Sequence, residues 1–231
     1  MTFKQLTPIE ARVLATLMEK ARTVPDSYPL SLNALVLGCN QKSSRDPVME
    51  INDDDARAAL EALKARSLVF EGSSSRVPRY EHNFMRVADV TEQQSVLLGL
   101  LMLRGAQTPA ELRTAGERWY KFADAAAVDA VLQELQARGD DDGAAMVLKL
   151  PRAPGAREQR WVHLLCGEVD VAALVSNAPS AAEAEGLLGR VTALENALVL
   201  VKADNALLRA HVQTISAQLG IVLQDAAIAG A

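Results

Sequence analysis

The apolar positions of this chain fall into two similar series. Each begins on a helical period and ends on an alternating one. In the first, Thr7-Pro8-Ile9-Glu10 has the grammar of a helix start. Thr7 serves as N-cap, Pro8 suits the first turn, and Glu10 lies three residues on, as in a capping box. Ile9, Val13, Leu14, Leu17 and Met18 then recur on one helical face. Pro25 and Pro29 punctuate its end. Ser31 caps a second short helix, predicted over Leu32 to Cys39. After an irregular polar stretch, Asn40 to Pro47, Asn52 caps a third helix with Ala56, Ala59, Leu60 and Leu63 facing inward. Asp53, Asp54 and Asp55 occupy its first turn, where the helix dipole favours anions. The period then drops to two. Leu68 to Glu71 reads as a strand, 72–78 as a flexible tip and Arg79 to His82 as the return strand. Three helices and a hairpin is the order of a winged helix, a relative of the helix-turn-helix.

The order repeats. Residues 91–104 form a helix with Val96, Leu97, Leu100 and Leu101 inward. Thr108-Pro109-Ala110-Glu111 restates the opening cap grammar and starts a second short helix. Ala125 to Arg138 is a third, with Val128, Val131, Leu132 and Leu135 inward. Met146 to Leu150 and Arg160 to Leu165 read as strands around a Pro/Gly/Arg tip at 151–158. Each unit is about 80 residues, a viable small domain.

Beyond a transition of small residues, the spacing alternates four and three along Leu187, Val191, Leu194, Leu198, Val201, Asn205, Leu208, Val212, Ile215, Leu219 and Val222. That is a heptad seam. With Val191 at a, Asn205 also falls at a, where a single Asn fixes register and favours two parallel strands. Arg190 and Asp204 at g would face Glu195 and Arg209 at the next e of a partner, opposite charges both times. The seam predicts a homodimer paired through Leu187, Val191, Leu194, Leu198, Val201, Asn205, Leu208, Val212, Ile215 and Leu219.

Certain runs carry a family resemblance. Glu19-Lys20, Pro25-Asp26-Ser27-Tyr28-Pro29-Leu30-Ser31-Leu32-Asn33-Ala34-Leu35 and Cys39-Asn40-Gln41-Lys42-Ser43-Ser44-Arg45-Asp46-Pro47-Val48 resemble the signature of the bacterial YceH-like family of unknown function. Residues 103–113 and 160–165 are similar to that family too. The resemblance implies tandem winged-helix domains and implies no activity. Taken together, the expected fold is α+β, mainly α with small β-hairpins. It comprises a winged-helix domain over 1–89, a second over 90–167, a linker over 168–182, a coiled-coil helix over 183–223 and a disordered tail over 224–231.

Composition narrows the chemistry. Apolar residues make up 49% of the chain and aromatics 4%, so the core is aliphatic. The net charge of −5 argues against a generally basic nucleic-acid binder. Residues 1–89 carry 12 basic and 12 acidic side chains, and residues 90–167 carry 9 and 10, so neither half is basic overall. Cys39 and Cys166 lie in apolar contexts and read as buried free thiols, with no C-x-x-C pair to begin a zinc site. Met1 to Lys4 is not followed by an apolar run, and no stretch reaches the ~18 apolar residues that would span a bilayer. A cytoplasmic location without membrane contact is expected. His82 and His163 occupy equivalent places in the two return strands, which predicts a shared structural role, and His211 falls at a g position. There is no G-x-S-x-G, P-loop or H-E-x-x-H. Neither an enzyme nor a cofactor or metal is expected.

Nucleic-acid binding is the natural reading of a winged helix. It requires cations against phosphate and side chains that reach base edges. The candidates in the first half are Gln41, Lys42, Ser43, Ser44 and Arg45, with Arg76 and Arg79 on the wing. In the second they are Arg152, Arg157 and Arg160. The stretch from Asn40 to Asp46 reads first as a hydrogen-bonded turn and, as the alternative, as a recognition surface for nucleic acid or protein. Two features run against DNA. Three Asp open the first recognition helix, and the second has no basic residue before Arg138. The leading reading is a dimeric winged-helix protein that binds duplex DNA, a transcriptional regulator. The alternative is a winged-helix scaffold for protein partners.

Overall fold

The computed structural model of the chain describes residues 5–72, 77–138, 145–154 and 156–171, together with 201, 202, 205, 208, 209 and 212. Its first helix begins where the cap chemistry says it should. Thr7 Oγ1 accepts a hydrogen bond from the Glu10 amide while the Glu10 carboxylate accepts one from the Thr7 amide, which opens α1 (Pro8–Thr23). Ser31 caps α2 (Leu32–Cys39), and Asn52 forms a second reciprocal box with Asp55 at the start of α3 (Asp53–Ala65). The hairpin consists of β2 (Val69–Gly72) and β3 (Arg79–His82).

Sequence periodicity did not reveal two elements. One is β1 (Leu30–Ser31), which pairs antiparallel with β3 to give the sheet order β1-β3-β2. Two residues carry no period, and the pairing is visible only in three dimensions. The other is α4 (Phe84–Ala88), a short turn that seats Phe84 fully in the core and ends on Asp89 at φ 50°.

The second half repeats the scheme. Thr91, Thr108 and Asp124 cap α5 (Glu92–Arg104), α6 (Pro109–Gly116) and α7 (Ala125–Ala137). Strands β4 (Val147–Lys149) and β5 (Trp161–His163) pair antiparallel, shorter than the alternation suggested. Gln107 bridges Trp161 from the far side of β5, the place that β1 holds beside β3. The chain is α+β, mainly helical with small antiparallel sheets.

The two halves belong to one compact unit over Met1–Ala178. Helix α1 packs on α5, and both are interior along nearly their whole length. Gly99 on α5 gives room on that side, since a Cβ there would come within 3.2 Å of the Met18 methyl on α1 and 2.8 Å of Trp119. The Leu6 amide donates to Leu165 O and the Asp46 amide to Leu103 O, each at 2.8 Å. Arg22 pairs with Glu92 at 2.6 Å. No described helix is long and apolar enough to cross a membrane.

The connection between α2 and α3 is tied down at several points. Asn40 and Ile51 exchange two hydrogen bonds of 2.8 Å, closing the base of the loop. Arg12, 1% exposed on α1, donates to Cys39 O at 3.2 Å and Pro47 O at 2.6 Å. Arg45, whose side chain is fully enclosed, forks onto Glu19 at 2.6 and 3.2 Å and donates twice to Gly38 O. Burial alone would raise the Glu19 carboxyl. The hydrogen bonds and charge of Arg45, then of Lys20, outweigh it and hold Glu19 below the usual carboxylate range.

In the second compact unit, Pro179–Ala231, the described residues are helical. Val201, Asn205, Leu208 and Val212 are spaced to share one helical face, and all four are exposed. Arg209 Nε donates to Asn205 Oδ1 at 2.9 Å. Leu187, Val191, Leu194, Leu198, Ile215 and Leu219 lie outside the described residues.

Arg45→Ala leaves Glu19 with only Lys20 for charge compensation and strips Gly38 O of its donors. A loss of about 3 kcal/mol is expected in urea denaturation, the low end for breaking a buried pair. Arg45→Lys should recover part of it. A loss below about 0.5 kcal/mol, the range of an ordinary surface change, would show that the loop does not depend on this pair.

Candidate functional site

The sequence offered the α2–α3 loop and the two hairpin tips as contact surfaces. The structure sorts these residues by whether their polar atoms are already engaged. Arg45 is withdrawn from any surface role, because its fork is spent on Glu19 and Gly38 O behind the loop. Arg79 is exposed but donates to Pro29 O at 2.8 Å. Arg160, expected on the second wing, closes a bidentate pair with Glu111, both contacts 2.7 Å, and donates to Ala106 O. Arg152 and Arg157 are exposed and have no hydrogen bond or ion pair among the described residues. Arg76 lies outside the described residues.

The rest of the loop faces a cleft of about 580 Å³. Gln41, Lys42, Ser43 and Ser44 line one side. The end of α1 contributes Glu19, Lys20, Thr23 and the adjoining Val24. The second half supplies Arg104 from the end of α5, Ala115 from α6, and Arg118 and Trp119 from the turn that follows. Arg104 donates to Ser44 Oγ at 2.8 Å, and Lys20 reaches Gln41 Oε1 at 3.5 Å and Glu19 at 3.0 Å. Ser44 holds φ 60°, a left-handed turn that a non-glycine residue adopts at some cost. Burial lowers the Arg104 pKa, Arg45 lowers it further, and Glu19 opposes both.

Sequence reasoning found the loop side of this cleft and missed Lys20, Arg104, Arg118 and Trp119. Lys20 and Arg104 do lie within the runs that carry the family resemblance. Nothing in their spacing says that residues 84 positions apart converge.

The acidic start of α3 is confirmed as a cap: Asn52 and Asp55 bond reciprocally, leaving Asp53 and Asp54 exposed. Further along that face Lys64 bonds to both Glu61 and Glu71, and Arg57 has no hydrogen bond or ion pair among the described residues. The corresponding helix of the second half, α7, exposes Ala126, Ala130, Gln133 and Glu134. Asp129 on α7 accepts from Trp161 Nε1 at 2.9 Å and from Lys149 and Gln133, which anchors β4 and β5. Among the described residues no group of three or more His, Cys, Asp or Glu could hold a metal ion.

The two histidines are equivalent in register. His82 lies opposite Val69 and His163 opposite Val147, each facing the first residue of its hairpin. Each has a buried Nδ1 without a hydrogen-bond partner. Burial, assisted by Arg22, lowers His82 to about 4, and burial lowers His163 to about 4. The folded state therefore resists a proton that the unfolded state accepts below about 6.5. Stability should be full above that value and fall as pH drops toward 4, by roughly 2 kcal/mol per histidine at pH 5. Glu19 and Asp129, held low by their partners, lose their contribution only at more acidic pH. Urea midpoints at pH 7 and pH 5 check this. The His82→Gln/His163→Gln protein should show a flatter dependence, and an unchanged slope would exclude the histidines as its source.

A family profile described as "Protein of unknown function, DUF480" matches residues 6–156. A "UPF0502 protein" of Polaromonas sp. (strain JS666 / ATCC BAA-500) is 74% identical over 225 residues, covering 97% of this chain and 95% of that protein. Another, from Polaromonas naphthalenivorans (strain CJ2), is 72% identical over 71% of this chain and 75% of its own. A third, from Delftia acidovorans (strain DSM 14801 / SPH-1), is 56% identical over 94% of this chain and 93% of its own. These matches agree with the resemblance read from the sequence.

Proposed function

The chain belongs to the DUF480 family of proteins of unknown function, and we propose that it is a non-catalytic, cytoplasmic winged-helix protein that binds duplex DNA as a homodimer. Three helices and a hairpin occur twice, and in both halves the return strand is flanked on two sides, by β1 in the first and by the bridge from Gln107 in the second. The observation that carries the DNA reading is the tip of the second hairpin. Arg152 and Arg157 are exposed and unengaged among the described residues, while most other cations near the hairpins are spent on intramolecular partners. Guanidinium groups free to meet phosphate or a minor-groove edge are what a wing requires. Val201, Asn205, Leu208 and Val212 support pairing of two chains through the C-terminal helix.

A protein partner is the second reading, and a specific surface favours it. Asp53, Asp54 and Glu61 give α3 an acidic face where a groove-reading helix would meet phosphate, and Phe70 and Val77 are exposed on the adjoining hairpin. Such a mixed acidic and apolar surface suits a basic peptide or protein better than a nucleic acid.

Fluorescence anisotropy with pooled random duplexes at low and physiological salt tests the DNA reading. Saturable binding that weakens with salt is expected. Arg152→Ala/Arg157→Ala should weaken it at least about tenfold and lower the salt slope by about 2. Arg79→Ala should change it little. Absence of binding at low salt would favour the protein-partner reading. Light scattering of the full chain should give two copies per particle, and a monomer would remove the dimer from the proposal.

A further inference from the structure

The cleft between α1 and α6 carries an excess of positive charge. Lys20, Lys42, Arg104 and Arg118 converge on it from both halves of the chain, against one lining carboxylate, Glu19. Glu19 is already matched by Arg45, which approaches from behind the loop. Lys42 has a distant, 3.4 Å contact with Glu50, both side chains mostly in solvent, where such pairs contribute little. Arg118 has no hydrogen bond or ion pair among the described residues. In a chain of net charge −5, whose halves are each near neutral, four cations around one concavity is a local excess that folding alone does not explain.

The chemistry of the lining is specific as well as positive. Ser43 and Ser44 bring hydroxyl groups beside Lys42, and Arg104 is positioned by its bond to Ser44 Oγ. Guanidinium, ammonium and hydroxyl donors from separate elements are the set that enfolds a phosphate group, whose charge of about −1.5 to −2 they offset. The opposite wall is different. Trp119, Ala115 and Val24 present apolar surface, with Val24 39% exposed. At about 580 Å³ the space suits a small metabolite.

We propose that this cleft is a binding site for a small phosphorylated molecule, its phosphate held by Lys42, Arg104 and Arg118 and its ring or apolar body lying against Trp119 and Val24. The occupant bridges the α2–α3 loop of the first half and the α5–α6 region of the second. A divalent cation is excluded by the charge, and an uncharged ligand would leave the cations unmatched.

Calorimetric titration of the full chain tests this with inorganic phosphate, pyrophosphate, AMP, glucose 6-phosphate, adenosine and a 20-base-pair duplex as probes. At least one of the four small phosphorylated probes should bind saturably in the micromolar to low millimolar range and raise the melting temperature. Adenosine should not bind. Lys42→Ala and Arg118→Ala concern exposed side chains, so neither variant should shift the melting temperature of the unliganded protein. Each should weaken binding about tenfold. Arg118→Lys should weaken it less, since the charge survives without the fork. The absence of saturable binding by all four phosphorylated probes overturns the proposal, as does binding of equal strength in the Lys42→Ala/Arg118→Ala protein. Duplex binding lost in that double variant, with no small phosphate bound, assigns the cleft to backbone phosphate and overturns the small-ligand site. Failure of duplex binding alone bears on the wing and leaves the small-phosphate result to decide the cleft.

Discussion

The buried pairing of Arg45 with Glu19 ties the loop between α2 and α3 to α1. Glu19 sits near the end of α1, the helix on which both halves pack, and Arg45 sits midway along the loop between α2 and α3. By forking onto Glu19 and bonding to Gly38 O, Arg45 pulls the loop down against α1. The next residue, Asp46, then meets the end of α5 through its amide. A buried ion pair adds little net stability compared with an apolar substitute, but it holds one geometry because each charge is costly without the other. Here that geometry places Ser43 and Ser44 opposite Arg104 and Arg118. The cleft is a consequence of a loop fixed from behind.

The same ledger of charges explains why an acidic chain can still present a cationic surface. Net charge sets the long-range field, but recognition depends on which charges remain unspent at close range. Arg12, Arg45 and Arg160 are consumed by carbonyls and carboxylates, so counting cations along the sequence overstates what a phosphate could meet. Conversely, Lys20 and Arg104 lie in the last turns of α1 and α5, where a cation suits the helix dipole. Their position at the junction makes them more than that.

Much of the fold was legible because caps and periodicity are local. Thr7, Ser31, Asn52 and Thr108 each mark a helix start, and α2 runs over the span predicted, Leu32–Cys39. β1 and α4 escaped because two to five residues are too short for a period to register. The candidate site was half legible for the same reason. Gln41 to Ser44 are contiguous and conspicuously polar, whereas Arg104 and Arg118 join them only through tertiary packing. Arg45 follows the hydrogen-bonded-turn reading of Asn40 to Asp46 and not its place among the nucleic-acid contacts. Beside Lys42 and Ser44 it looks like one more surface donor, and nothing local discloses that the loop turns its guanidinium inward.

The two halves follow a similar element order, and one of their differences, the link before the third helix, carries the functional argument. In the first half thirteen residues, 40–52, separate α2 from α3. In the second, α6 and α7 are separated by only 117–124, and that shorter link contributes Trp119 and Phe122 to the core. Trp119 fits because Gly99 gives it room against α5, and it lines the cleft with Ala115 and Val24. The long loop of one half supplies the polar wall. Two identical copies would offer either two polar loops or two apolar links. The unequal pair sets one against the other, and a concavity with a cationic side and an apolar side follows from that inequality.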